Sequence, residues 1–271
     1  MQKESCASVY KSYDIVGDIA IIRVSESLKQ QCRKIAEDIM ETHKNIKSVW
    51  RQHSSVSGDF RLRTLKWVAG EKRTETTYKE FGCIFKVDIA HCYFSPRLSY
   101  ERQRIAQQVH SREVIVNMFA GVGCYSIIIA KHSKADKIYS IDLNPIAIKY
   151  MQENIRLNKV EERVSAIQGD AKEVLKEKMQ EIADRILMPL PQLAYNYLDY
   201  AISALKPSGG WIHYYDFEHA KKEETPQEKV KAKVSEKLQK LYIDFEMSYS
   251  RVVRTTGPNW YQIVVDVFIR K

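Results

Sequence analysis

Two glycines and two carboxylates carry the clearest chemistry in this chain. Val114-Ile-Val-Asn-Met-Phe-Ala-Gly-Val-Gly-Cys-Tyr-Ser126 reads as an apolar strand feeding a glycine turn and then a helix. Lys137-Ile-Tyr-Ser-Ile-Asp-Leu-Asn-Pro145 is a second apolar strand ending on a carboxylate. Gly121 and Gly123 let the backbone approach a ligand where a Cβ would collide. Asp142, at the tip of the next strand, is placed to accept hydrogen bonds from ribose hydroxyls. A dinucleotide turn has a third glycine three residues after the second, and here that position holds Ser126. A loop facing an uncharged adenosine with an amino-acid tail fits better than one cradling a pyrophosphate, and S-adenosylmethionine matches that description. Asn144-Pro145 starts a helix after Asp142, and Gly169-Asp170 closes a third strand, so three ligand-competent strand ends follow in order.

Those strand ends need a sheet to hold them, and the chain is long enough to build one. Its 271 residues allow one large or two modest domains with a real core. The net charge of +9 suits a polyanionic partner such as RNA, although a merely soluble basic protein has the same composition. Cys6, Cys32, Cys83, Cys92 and Cys124 form no CxxC pair and no His/Cys cluster, so neither a zinc site nor a disulfide framework is expected. No signal peptide or long apolar span is present, which points to a cytoplasmic protein without a membrane partner.

Along the chain, residues 1–12 read as a tail. Tyr13–Val24 alternates around Gly17-Asp18 as a hairpin, and Ser25-Glu26 caps a helix whose apolar face is Leu28, Cys32, Ile35, Ala36, Ile39 and Met40. Strands are expected at 48–52 and 61–69, and a hairpin at 75–88 turns around Glu80-Phe81-Gly82. Residues 13–90 thus make a small α+β domain, expected to contact RNA. From 91 to 271 strand and helix alternate: helices at 98–108, 146–157 and 193–205, and strands at 114–117, 137–142, 164–168, 185–188 and 211–216. Pro226 opens a further helix with Val230, Val234, Leu238 and Leu241 on one face, and strands at 247–254 and 261–269 end the chain. The fold is α/β: a class I Rossmann-like methyltransferase fold, mostly parallel with antiparallel C-terminal strands.

Phe94-Ser-Pro-Arg-Leu-Ser-Tyr-Glu-Arg-Gln-Arg104 together with Asn117-Met-Phe-Ala-Gly-Val-Gly123 resembles the archaeal and eukaryotic tRNA guanine-N1 methyltransferases, which act at tRNA position 37. Val56-Ser-Gly-Asp-Phe-Arg-Leu-Arg63, Gly70-Glu-Lys-Arg-Thr-Glu75 and Ile212-His-Tyr-Tyr-Asp-Phe217 extend the resemblance to about residues 13–271. A sister group with the same fold transfers the aminocarboxypropyl group in wyosine biosynthesis and usually lacks the Ser-Pro-Arg-Leu segment. Larger members of the family carry an extra N-terminal domain that grips the tRNA elbow. This chain begins at the middle domain, so recognition of the anticodon stem-loop alone is expected.

The resemblance implies a chemistry. Guanine N1 is a poor nucleophile until it loses its proton, so the minimal equipment is a carboxylate base and an arginine facing the charge that builds toward O6. The resemblance assigns the base to Glu101 and the O6 partner to Arg61. Read from the residues alone, Glu101 is a solvated helix position beside Arg102 and Arg104, and Arg61 an ordinary basic strand residue. For S-adenosylmethionine, with S-adenosylhomocysteine as product, the resemblance carries over Tyr93, Arg97, Phe119, Ala120, Gly121, Gly123, Asp142 and Asp170. Arg97 would suit the methionine carboxylate and Asp170 the adenine amino group. Tyr93 and Phe119 could equally be core, and Asn144 could line the site or cap its helix. Arg61, Arg63, Arg102, Pro189 and Pro191 stand on the substrate side; no metal and no protein partner is implied.

Two departures bear on substrate. The family commonly has Asn-Leu-Pro after the fourth strand, and here Met188-Pro189-Leu190-Pro191 puts a residue with no side-chain donor and no N–H in the asparagine's place. Asn117 stands where an acidic residue is frequent. RNA contact is expected from Lys44, Lys47, Arg51, Arg61, Arg63, Lys66, Lys72 and Arg73, with Trp50, Trp67 and Tyr78 among them. The mixed-charge segment 221–240 reads as a solvated face.

Overall fold

The computed structural model describes residues 13–24, 30–54, 58 and 60–271. The expected Ser25-Glu26 cap, Leu28, and Val56, Ser57 and Asp59 of the loop motif lie outside these residues. Packing divides the chain into two compact units, Met1–Pro96 and Arg97–Lys271, so the division falls after Pro96 rather than after residue 90.

In the first unit, β1 (Tyr13–Val16) and β2 (Ile19–Ile22) form the expected hairpin, and α1 (Cys32–Thr42) crosses over to β3 (Ser48–Gln52), parallel to β2. β4 (Leu65–Gly70) closes a four-stranded sheet as an antiparallel edge. The helix repeat works as the spacing requires: Cys32, Ile35, Ala36 and Ile39 bury against Ala20, Ile22 and Val49. β5 (Glu75–Glu80) and β6 (Cys83–Asp88) form a separate hairpin around Phe81 and Gly82. β4 begins at Leu65, not at Arg61. Arg61 sits in a turn with φ 56°, its N–H donating to the Gly58 carbonyl at 3.1 Å, and that left-handed backbone cannot continue a ladder.

The second unit is a seven-stranded sheet. β7 (Val114–Asn117), β8 (Lys137–Asp142), β9 (Val164–Gln168), β10 (Arg185–Met188) and β11 (Gly210–His219) run parallel, and β12 (Asp244–Gly257) and β13 (Trp260–Arg270) are antiparallel. The order is β12-β13-β11-β10-β7-β8-β9, so the strand order reverses between β7 and β10, where open α/β sheets bind ligands. One face is an apolar core in which α5 (Ala171–Lys178), α6 (Pro191–Ala204) and α7 (Pro226–Lys240) cover Val116, Ile186, Ile212 and Val265. The helix at 171–178 was not anticipated. Its apolar residues Val174 and Leu175 are too few to show a repeat, and Asp170 alone marks its start. Toward the opposite face lie α2 (Ser99–Gln108) and α3 (Cys124–His132), which pack on each other. α4 (Pro145–Leu157) follows β8, and one 3-10 turn, Pro96–Leu98, precedes α2. Leu241 falls off the α7 face: it is the residue capping the helix and is exposed.

Candidate active site

The loop after β7 is built as its sequence requires. Gly123 has φ 91°, and a Cβ there would come within 2.8 Å of Met151 Cγ, so only glycine fits between the loop and α4. Gly121, also left-handed, donates its N–H to Asp142 Oδ2 at 2.6 Å, and the other carboxylate oxygen accepts from Asn144 N–H at 2.9 Å. Ala120 N–H bonds the Ile141 carbonyl at 2.8 Å, fastening the loop to β8. Burial raises the pKa of Asp142, against the pull of those two backbone donors. The carboxylate expected to meet a ribose therefore also ties the glycine loop to the strand beside it.

The neighbouring residues divide between structural and open roles. Asn144 caps α4, Oδ1 accepting from Ile146 N–H at 2.9 Å. Asp170 caps α5 through Lys172 N–H at 3.0 Å and also accepts the Tyr197 hydroxyl at 2.9 Å. Phe119 packs its ring edge-on to Tyr197, centroids 5.4 Å apart. Asn117 donates to Ser126 Oγ at 3.1 Å, and among the described residues its buried Oδ1 has no hydrogen-bond partner. A loop that two left-handed glycines hold close against its neighbours and a tethered acid at the end of β8 fit a nucleoside carrying an amino-acid tail.

Glu101 is not a solvated helix residue. It is 1% exposed, on the buried side of α2. Arg104 donates to both its oxygens, Nη2 to Oε1 at 2.7 Å and Nε to Oε2 at 3.0 Å, and Tyr215 donates its hydroxyl to Oε1 at 2.8 Å. Arg104 also holds Asp266 at 2.6 Å. Asp266 meets His213 Nδ1 at 2.6 Å, His213 Nε2 meets Arg185 Nη1 at 2.7 Å, and Arg185 ends on Glu113. Because Arg185 can only donate, His213 accepts at Nε2 and carries its proton on Nδ1 toward Asp266.

The electrostatics follow from that order. Burial works against charge on Arg104, but Asp266 and Glu101 more than offset it and its pKa is raised. Burial also opposes charge on Asp266, yet His213 and Arg104 hold its carboxyl below the ordinary range. Burial keeps His213 neutral, pushing its pKa down despite Asp266. Burial and then Glu101 raise the Tyr215 phenol well above its usual value, so it remains a donor. Spacing alone does not mark Asp266, and His213 and Tyr215 stand out only within the Ile212–Phe217 motif, with no role attached; their alternation on β11 and β13 reads as ordinary strand. Arg102 is buried on the same helix, Arg97 is exposed before it, and Pro189 is half-buried directly after β10. Pro191 is the first residue of α6.

In the first unit, Arg61, Arg63 and Tyr93 line one small depression with Ile21, Ile89 and Phe94. Burial lowers the pKa of Arg61, with Tyr93 acting the other way. A left-handed arginine in such a depression is a strained position of the kind that clusters at functional sites. The expected RNA face is thinner than its composition suggested. Arg51 is buried, Arg73 pairs with Asp18 and Glu71, and Trp50 donates to the Arg73 carbonyl at 3.0 Å. Tyr78 packs on Phe94. Lys44, Lys47, Lys66 and Lys72 stay exposed, with Trp67 44% exposed on β4.

Residues 76–242 match the TRM5/TYW2 methyltransferase domain, and residues 1–74 match the TYW2 N-terminal domain. The chain is 42% identical to the tRNA (guanine(37)-N(1))-methyltransferase Trm5b of Pyrococcus abyssi, over 94% of this chain and 74% of that one. It is 41% identical to the tRNA 4-demethylwyosine(37)-methyltransferase Taw21 of Saccharolobus solfataricus, over 96% and 94%. The structure of Methanocaldococcus jannaschii Trm5 in complex with adenosine superposes with a TM-score of 0.79 at 35% identity, covering all of this chain and 78% of that one.

Proposed function

The chain belongs to the TRM5/TYW2 methyltransferase family, and on that premise we propose that it methylates N1 of guanosine 37 in tRNA. S-adenosylmethionine, when bound, supplies an electrophilic methyl group and leaves as S-adenosylhomocysteine. Gly121, Gly123 and Asp142 would hold its adenosine, with Phe119, Ala120, Asn144 and Asp170 around them and Tyr93 and Arg97 toward its tail. The observation that carries the reading is Glu101: a buried carboxylate paired with Arg104 and oriented by Tyr215, in the unit that holds the glycine loop. Glu101 takes the N1 proton. Arg61 donates to O6, where the charge left by that proton collects. Arg63, Arg102, Pro189 and Pro191 stand on the substrate side. A tRNA substrate supports a cytoplasmic location, and among the described residues no helix is long and apolar enough to cross a membrane.

A second reading, methylation of the tricyclic 4-demethylwyosine at the same tRNA position, has its own support. Taw21 matches this chain nearly end to end, and Pro189 removes the amide donor common in the guanosine enzymes. The two readings part in one experiment. Transcripts with guanosine or adenosine at position 37, and tRNA carrying 4-demethylwyosine, are incubated with the protein and S-adenosylmethionine, and the nucleosides are analysed by mass spectrometry. N1-methylguanosine from the guanosine transcript alone is expected. Methylation only of 4-demethylwyosine moves the protein to the second reading, and an aminocarboxypropyl adduct overturns both.

A further inference from the structure

Glu101 Oε1 already accepts two hydrogen bonds, from Arg104 and Tyr215, whereas Oε2 accepts one, from Arg104 Nε. On the side of that less-occupied oxygen lies Arg251, from β12, with Nε 4.0 Å from Oε2, too long for a hydrogen bond. Its guanidinium carbon sits 4.5 Å from the centre of the Tyr100 ring, which is 62% exposed. Nε makes one long bond to the Val252 carbonyl at 3.3 Å. Among the described residues, no acceptor takes a hydrogen bond from either terminal nitrogen, although the side chain is only 23% exposed. A largely covered guanidinium with open donors, stacked on a tyrosine beside the base, is arranged for an acceptor that arrives with the substrate.

Resting on the reading above, we propose that Arg251 is a second catalytic arginine, donating to O6 of the target guanine while Glu101 Oε2 takes the N1 proton. N1 and O6 are separated by one carbon, so their two partners must stand side by side, as Oε2 and Arg251 do. The N1–H bond breaks toward Glu101, and the electron pair it leaves is shared with O6 until the N1–methyl bond forms. Tyr100 fixes the guanidinium plane, so it is a positioning residue.

The test compares wild type, Arg251→Ala, Arg251→Lys and Tyr100→Ala on a guanosine-37 transcript, with S-adenosylmethionine affinity and thermal midpoint measured alongside. Arg251→Ala is expected to lose about 100-fold in kcat, the scale of one donor to developing charge. Its tRNA KM should change far less, and its S-adenosylmethionine affinity and midpoint should not change. Arg251→Lys recovers part of the rate, and Tyr100→Ala falls between. An active wild type with Arg251→Ala at full kcat overturns the assignment alone. So does a rate lost in step with cofactor binding and thermal stability, since that is a packing role. A wild type making no N1-methylguanosine overturns the functional reading, and the assignment with it.

Discussion

Tyr215 reaches across 114 positions of sequence to donate its hydroxyl to Glu101 at 2.8 Å, from the strand that also presents His213. The bond leaves Glu101 only one lightly used oxygen. Tyr215→Phe is expected to lower kcat about tenfold while leaving S-adenosylmethionine affinity unchanged, because one neutral donor to a charged group is lost. Single-turnover rates with titration calorimetry check it.

Arg104 is the counter-charge for two buried carboxylates, Glu101 and Asp266. Arg104→Met strands both, and should destabilise the protein by about 3–5 kcal/mol, the range for breaking one side of a buried ion pair. Urea denaturation measures it. Arg104→Lys should fall between, since an ammonium cannot bridge both acids with paired donors.

Gly123→Ala meets a left-handed φ and Met151 together. The loop must shift, and S-adenosylmethionine affinity should drop by at least tenfold with a loss of about 1–3 kcal/mol in stability. An alanine variant that binds the cofactor normally would show that the loop has room to spare.

His213 gives the fold a pH signature. Its pKa is lowered by burial in the native chain, so the unfolded chain binds a proton more readily. Its contribution is complete above the unfolded value near 6.5 and declines as pH falls from there toward the native pKa. Asp266 has the same sign at lower pH: its stabilisation is full above the unfolded carboxylate range and is lost only in stronger acid. The thermal midpoint should therefore decline between about pH 7 and 5, and His213→Asn, which still donates but cannot charge, should flatten that decline.

The methyltransferase sheet was legible because its strands are short apolar runs closed by turn residues or a carboxylate, and Val164–Gln168 and Arg185–Met188 fall where their residues place them. The cofactor loop was legible for the same reason: Gly123 has no substitute. What stayed hidden depends on pairing between distant strands. Nothing local distinguishes Asp266 from a solvent-facing strand acid until the register sets it opposite His213. Arg51 and Arg73 read as part of a basic face because composition does not reveal a buried position or a partner such as Asp18. Arg61 read as strand because its left-handed turn contains no glycine at that position.

The most direct measurement is the rate of N1-methylguanosine formation by Glu101→Gln on a guanosine-37 transcript, with S-adenosylmethionine binding followed on the same preparation. Glutamine keeps the shape of the site but cannot take the N1 proton. The account predicts a loss of about 10²–10⁴-fold in kcat, the range for a general base, with cofactor affinity unchanged. A Glu101→Gln enzyme that methylates guanosine at the wild-type rate would contradict it.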